Sequence, residues 1–375
     1  MTPRAQIRMS GARSERCDIA VVGAGPAGAT AACHLARAGL DVALIDRAAF
    51  PRDKVCGDLL GADALEELAQ LGVDPAEAWP GRTGTARRWR EEGQDGTVKE
   101  GEEDFGAGRR TVYFVRRADF DDTLRRLAVS AGARWLSPCR VTGLRHDPLG
   151  RRCTLDAVAE PGRATRIEAS AVICATGAGK GVAGTRFDAT DDRIYVAGRA
   201  HYENVALPPD TYDFYHLGHG PAHYGWAFPL PGARANVGII MPLRTWRLQG
   251  LRGAQLVERL PAQRRLPRET LRAAVRVTPF RAVLLRTGLQ PGELCRDGMI
   301  LVGDAAGMAD PRNGEGIGPA MFSGHAAADA LREAWQGRSP LRHELLGYEA
   351  AVRRKYGEAF EITRRRFAGD PPRVG

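Results

Sequence analysis

Lysine is scarce in this chain: of 54 basic residues, only Lys54, Lys99, Lys180 and Lys355 are lysine. Paired cysteines are lacking too. Cys17, Cys33, Cys56, Cys139, Cys153, Cys174 and Cys295 are odd in number and scattered, with no Cys-x-x-Cys pair. That usage supports neither a disulfide framework nor a thiolate metal site, and it fits a reducing compartment. All except Cys56 sit in apolar, strand-like or helix-like surroundings and read as small buried residues. Long apolar runs are missing: no stretch approaches the roughly 18 residues of a membrane-spanning helix. The opening MTPRAQIRMSGARSER has no apolar segment of the kind a secretory signal needs. Residues 1–16 therefore read as a disordered lead-in and the protein as cytoplasmic, with no integral membrane segment and peripheral association left open.

A nucleic-acid motif is absent as well, although the net charge is +9. The excess sits largely in the tails, at Arg4, Arg8, Arg13 and Arg16 and in the basic runs 353–355 and 364–366. Without a motif, such an excess reads as a solvated face or as a handle for an anionic substrate such as a phosphate or coenzyme A tail, and no nucleic-acid partner is expected. With 375 residues, 43% hydrophobic and 26% charged, the chain is an ordinary globular protein of two domains, or one large domain with an insertion.

The strongest segment present is CDIAVVGAGPAGATAACHLARAGLDVALIDR, 17–47. An apolar strand from Ile19 to Val22 runs into Gly23, Gly25 and Gly28 in G-x-G-x-x-G spacing, with Pro26 and Ala27 between them and a helical pattern to Ala38. A second strand follows, with Asp46 and Arg47 at its tip. This is the full βαβ setting of a dinucleotide site: the glycines admit the pyrophosphate to the backbone, the helix N-terminus favours its charge, and Asp46 is placed to accept from an adenosine ribose.

A second motif chooses between NAD and FAD. In DGMILVGDAAGMADPRNGEGIG, 297–318, a buried strand ends in Gly303 and Asp304, and Pro311, Gly314, Gly316 and Ile317 lead into a long helix. Asp304 suits ribityl hydroxyls, and the helix entrance suits the negative charge that a reduced flavin ring carries. No second G-x-G-x-x-G follows a strand, so FAD is the expected cofactor. Arg117, at a strand–helix junction, is placed for a phosphate or ribityl oxygen. The predicted class is α/β (α+β overall): a Rossmann-type FAD-binding domain, discontinuous over 17–80, 111–186 and 276–335, and an antiparallel β-sheet substrate domain at 187–275. Residues 81–110 read as a polar loop or flap, 134–145, 151–157 and 165–169 as an antiparallel meander, and 336–375 as a C-terminal segment with an amphipathic helix over 342–367.

Aromatic and histidine residues crowd 212–228. His216, His219 and His223 lie in a glycine- and proline-rich loop with no carboxylate or thiol beside them, and no metal is expected there. A pocket wall with one histidine as acid–base group and plain packing both remain open. Trp226 and Phe228 read as lining the substrate side of the flavin.

GAGPAG at 23–28, PRDKVCGD at 51–58, RADFD at 117–121, YGWAFPLPGARANVG at 224–238 and VGDAAGMADPRNGEGIG at 302–318 occur in order. Together they resemble the geranylgeranyl reductase family of flavoproteins, related in fold to the single-domain aromatic hydroxylases and flavin-dependent halogenases. The resemblance implies that the K-x-C-G loop lies beside the flavin and the substrate. Gly57 would bring its backbone close to the ring, Lys54 would offer charge to a flavin or substrate oxygen, and Cys56 would touch the substrate with its pKa lowered by a nearby cation. A solvated lysine and a merely packed thiol are the alternative. Lys54, Cys56, His223, Tyr224 and Trp226 are the catalytic candidates. The implied reaction is hydride reduction of a carbon–carbon double bond in an apolar or conjugated small molecule; the alternative is an oxygen-dependent hydroxylase or oxygenase of an aromatic or coenzyme A-linked substrate. Ala175-Thr176-Gly177 replaces an Asp-Gly pair found in many relatives, which leaves NAD(P)H and a separate reductase both open as electron donor. The chain is short after the flavin motif, and GWAFP replaces the halogenases' W-x-W-x-I-P.

Overall fold

The computed structural model describes residues 13–105, 108–147, 152–159, 162–179, 194–218, 222–248, 253–289, 293–338 and 340–367. Residues 1–12 of the lead-in, Lys180, His219 and the last residues, 368–375, lie outside them. The apolar strand expected at 19–22 is the buried end of a longer one, Arg13–Val22. Residues 13–16, read from sequence as lead-in, pair in parallel with Thr165–Glu168, and Arg16 Nε donates to Glu168 at 3.0 Å. Backbone pairing with a long neighbour decides the strand's start, which composition does not reveal.

Arg13–Val22 sits in the middle of the first sheet. Its strands run in the order Cys295–Arg296, Met299–Leu301, Arg163–Cys174, Arg13–Val22, Val42–Ile45 and Arg134–Leu136. From Met299–Leu301 to Arg134–Leu136 they are parallel. Parallel strands are covered on both faces, so these read as unbroken apolar runs; Ile19, Ala20, Val21, Leu44 and Ile45 are fully buried. Helix Pro26–Arg37 packs against helix Ile317–Ala334, which brings the two flavin motifs together from opposite ends of the chain. The meander is real but begins later than expected. Cys139–Asp147, Arg152–Ala159 and Arg163–Cys174 form it, whereas Arg134–Leu136 belongs to the parallel sheet; Ser137-Pro138 breaks the run because proline cannot donate to a ladder.

The second sheet runs Val275–Arg276, Ile194–Glu203, Arg234–Pro242, Tyr224–Leu230, Thr211–His216, Arg88–Glu92 and Val98–Glu102, with Arg281–Arg286 also paired to Ile194–Glu203. It is antiparallel except where Thr211–His216 meets Arg88–Glu92. This corrects two expectations. Residues 81–110 are not a loop: they hold Thr83–Ala86, Arg88–Glu92 and Val98–Glu102. Their charges serve pairing across the sheet. Arg90 makes a fork of 2.8 Å bonds to the buried Asp213, and Glu92 accepts the N–H groups of Arg265 and Leu266 at 2.9 and 2.7 Å. Arg281–Arg286, assigned from sequence to the flavin domain, also belongs to this sheet.

The C-terminal helical segment runs from Arg342 to Phe367 with one wide turn at Arg353–Gly357. Tyr348, Val352, Tyr356 and Phe360 form a buried stripe along it, one every four positions, beside the buried Leu345 and Glu349. Four exceeds the 3.6-residue period, and a single wide turn takes up the drift that would carry the stripe off the core.

Candidate flavin and substrate site

A cavity of about 990 Å³ lies between the two sheets. Of the residues singled out by sequence, Gly23, Gly25, Pro26, Ala27, Asp46, Arg47, Lys54, Cys56, Gly57, Arg117, Tyr224, Trp226, Gly303, Asp304, Gly314, Gly316 and Ile317 line it. Gly28, Pro311 and His223 do not. His223 is turned away: its ring fills the space a side chain at Gly218 would need, with Nδ1 2.2 Å from an ideal Cβ there. It is not brought to the cavity as an acid–base group. His216 instead pairs with Glu91.

One end of the cavity has the charges and the helix end that suit a pyrophosphate. Gly25 precedes helix Pro26–Arg37, and around its Cα stand two guanidinium groups, with Arg52 Nη2 and Arg117 Nη2 3.8 and 4.0 Å from an ideal Cβ. Arg117 is buried and bonded through a fork to Asp121 at 2.7 and 2.8 Å, and Arg52 Nη1 lies 3.0 Å from the same carboxylate. Arg117 and Arg52 share the Asp121 carboxylate, Arg52 Nη2 also lies 3.9 Å from Asp46 Oδ2, and both guanidinium groups stand at a helix N-terminus, where phosphates bind. Arg52 escaped the sequence analysis; its position in PRDKVCGD, beside the glycine motif's partner loop, was the available signal. Asp46 Oδ2 accepts from Ala24 N–H at 2.8 Å and Oδ1 from Ala48 N–H at 2.9 Å, which holds the carboxylate at the strand tip.

At the other end lies the K-x-C-G loop, and its neighbours explain its residue types. Asp53 binds the fully buried Arg199 at 2.6 Å, and Arg199 also donates to the Lys54 carbonyl at 3.3 Å. Asp58, buried at φ 68°, accepts from Asn236 at 2.7 Å and lies 3.6 Å from His201 Nε2. His201 and Asn236 are direct cross-strand partners, so one point of the substrate sheet grips the loop. Asn236 further donates to the Cys56 carbonyl at 2.8 Å and accepts from Trp226 Nε1 at 3.0 Å. Asp53, Asp58, Arg199 and Asn236 were missed from sequence because their pairing spans up to 180 positions.

The loop's own side chains face the cavity. Lys54 Nζ lies 3.5 Å from Asp304 Oδ2, at the ribityl motif, and 3.9 Å from an ideal Cβ on Gly177 of the Ala175-Thr176-Gly177 turn. A Cβ on Gly57 would stand 2.9 Å from the Phe228 ring, so only glycine lets this backbone lie against the aromatic wall of Trp226 and Phe228. The expected lowering of the Cys56 pKa is not found. Its side chain lines the cavity, burial pushes its pKa up, and the opposing Arg117 guanidinium does not offset this. Burial likewise raises the Tyr224 phenol, which donates to the Asn313 carbonyl at 2.5 Å.

Away from the cavity, His34, Glu67 and His325 place ligand-type atoms within 4.8 Å of one another. The two imidazoles stack at 3.9 Å and 2°. Their in-plane lone pairs therefore lie in parallel planes and do not converge on one point, and His325 Nδ1 is engaged by Glu67 at 3.0 Å.

The cradle fits FAD: cations and a free helix end for the pyrophosphate, Asp46 and Asp304 for ribose and ribityl hydroxyls, and aromatic walls beyond. A family model described as FAD binding domain matches residues 16–360. The menaquinone reductase of Mycobacterium tuberculosis is 32% identical over 363 residues, covering 94% of this chain and 83% of that protein. The digeranylgeranylglycerophospholipid reductase of Methanocella arvoryzae is 29% identical over 350 residues, covering 92% and 84%. A geranylgeranyl bacteriochlorophyll reductase-like structure from Thermoplasma acidophilum superposes with a TM-score of 0.80 at 26% identity, over 93% of this chain and 86% of that one. This chain belongs to the FAD-binding family and, within it, to the geranylgeranyl reductase group of FAD-dependent oxidoreductases.

Proposed function

We propose that this oxidoreductase reduces a carbon–carbon double bond in the isoprenoid chain of an apolar small molecule. The observation that carries the reading is the Lys54–Gly57 loop, clamped by Arg199, His201 and Asn236 between the flavin motifs and the Trp226–Phe228 wall. The names of the relatives support it, since menaquinone and geranylgeranyl compounds share an isoprenoid chain. The cavity suits such a chain: Val283, Leu284 and Leu285 add an apolar wall, and Leu284 is 47% exposed.

FAD, when bound and reduced, supplies a hydride. The protein's part is orientation, exclusion of water and charge. Arg52 and Arg117 hold the pyrophosphate, and Asp304, ion-paired with Lys54, fixes the ribityl side. The aromatic wall presses the substrate against the ring position and keeps water out. Lys54 places an ammonium near the flavin and substrate oxygens. No helix among the described residues is long and apolar enough to cross a membrane. Electrons arrive from NAD(P)H or a separate reductase.

Reduced holoenzyme mixed under argon with geranylgeranyl diphosphate, geranylgeraniol or an aromatic acyl-coenzyme A tests the substrate class. Return of oxidised-flavin absorbance with either isoprenoid, and not with the aromatic thioester, is expected. Reoxidation by none of them until oxygen is admitted would favour the oxygenase reading.

A further inference from the structure

Glu315 stands in the cavity with Cys56, Tyr224 and Trp226, just before helix Ile317–Ala334. Its Oε1 is buried and has no hydrogen-bond partner among the described residues. The carboxyl occupies space vacated by a missing side chain: an ideal Cβ on Gly61 would lie 2.4 Å from Oε1 and 2.9 Å from Cδ. We propose that Glu315 is the proton donor of the reaction, holding a proton inside the cavity and regaining it from solvent through Asp63. This rests on the double-bond reading above.

An ionised carboxylate placed there lacks donors, whereas the neutral acid tolerates burial. The charged and titratable groups around it are Asp63, Asp310, Arg312, Tyr212, Tyr224 and Tyr356. Burial, then Asp63 and Asp310, push its pKa up to about 7. Arg312 opposes this, but its guanidinium is bonded to Asp310 at 2.9–3.0 Å. A general acid works best with a pKa near the working pH. The other groups in the cavity do not meet that condition, because burial raises both the Cys56 thiol and the Tyr224 phenol. Asp63, whose charge acts on Glu315, is itself in contact with groups that reach the surface. Asp63 Oδ1 lies 3.1 Å from Lys355 Nζ and Oδ2 accepts from Tyr356 at 2.6 Å, with Asp63 29% and Lys355 31% exposed.

The balance closes. The π bond of the alkene breaks; one carbon gains a C–H bond from the hydride of reduced flavin, and its neighbour gains one from the Glu315 carboxyl proton. The carboxylate left behind takes a proton from solvent by way of Asp63, and a nicotinamide or reductase donor returns two electrons to the oxidised flavin.

The test uses FAD-loaded full-length protein, Glu315→Gln and Asp63→Asn, with detergent-dispersed geranylgeraniol as probe. Without substrate, the infrared spectrum of the wild type should show a carboxylic-acid C=O band that disappears as pH rises through about 7 and is missing in Glu315→Gln. Under argon, reoxidation of reduced Glu315→Gln by geranylgeraniol should be on the order of a hundredfold slower than in wild type at equal FAD content. Asp63→Asn should keep the band and a normal first turnover while slowing steady-state turnover. No such band, or the same band in Glu315→Gln, overturns the proposal whatever the substrate. Wild-type reoxidation rates in Glu315→Gln overturn the donor role, and unchanged steady-state turnover in Asp63→Asn overturns the supply route. A normal band with no anaerobic reoxidation of wild type overturns the double-bond reading and the donor role together.

Discussion

Asn236 donates both to the Asp58 carboxylate, at 2.7 Å, and to the Cys56 carbonyl, at 2.8 Å, so one amide ties the substrate sheet to the loop beside the flavin cradle. Both Asn236 and Asp58 are fully buried. Asn236→Leu leaves a buried carboxylate without its donor, at a cost of about 1–3 kcal/mol. A fall in melting temperature is expected, with FAD still bound because the pyrophosphate end is untouched. An unchanged melting curve would show that the amide does not hold the loop.

The pyrophosphate end is tested by Gly25 and its two arginines. Gly25→Val puts side-chain atoms against Arg52 and Arg117, the place assigned to the phosphates. FAD should be lost while far-ultraviolet circular dichroism is kept; a purified variant with stoichiometric FAD would contradict the assignment. Arg117→Ala and Arg52→Ala should differ. Removing Arg117 strips the fully buried Asp121 of its fork and destabilises the fold by about 3–5 kcal/mol. Removing Arg52, which is less buried, should weaken FAD binding with little effect on the melting of apoprotein.

The fold was legible in the sequence wherever a local pattern carried it. G-x-G-x-x-G in its βαβ frame located the cradle, and the glycine-rich entrance at 314–316 located its second half. What was not legible depends on distant pairing. The charged stretch at 88–102 looks like a loop until Arg90 finds Asp213. Arg13–Arg16 look like a tail until Thr165–Glu168 lie beside them. In the candidate site the K-x-C-G loop stood out, but its clamps at Arg199, His201 and Asn236 did not. Glu315 was hidden because a carboxylate inside a glycine-rich turn resembles a solvated charge until Gly61 is seen to make room for it.

Lys54 separates a functional ammonium from a solvated one. Lys54→Ala should lower turnover by roughly tenfold or more, equivalent to about 1.4 kcal/mol of transition-state stabilisation, with FAD content and melting temperature nearly unchanged. Lys54→Arg should not restore it, because a planar guanidinium is larger and fits the space between Asp304 and Gly177 poorly. Full activity in Lys54→Arg would remove the lysine from the site.

Cys56 gives a pH signature. Its pKa is raised, so the thiolate fraction at pH 7–8 lies below that of a free cysteine and grows only at more alkaline pH. All the other cysteines are buried. Alkylation of native apoprotein by iodoacetamide should therefore be slow at neutral pH, accelerate above the ordinary thiol range, and map to Cys56. Rapid labelling at pH 7 would mean that Arg117 outweighs burial.

The central claim is reduction of a double bond without oxygen. Holoenzyme reduced by dithionite under argon is mixed with geranylgeraniol, which has no quinone ring to take the electrons, and the product is weighed by mass spectrometry. A product heavier by two hydrogens, formed in step with flavin oxidation and carrying two carbon-bound deuteriums when reduction and reaction are both run in heavy water, since the reduced flavin's N5 hydrogen exchanges with solvent, is the predicted result. Failure to form it under argon, with an oxygen-18-labelled product once labelled oxygen is admitted, would contradict the account.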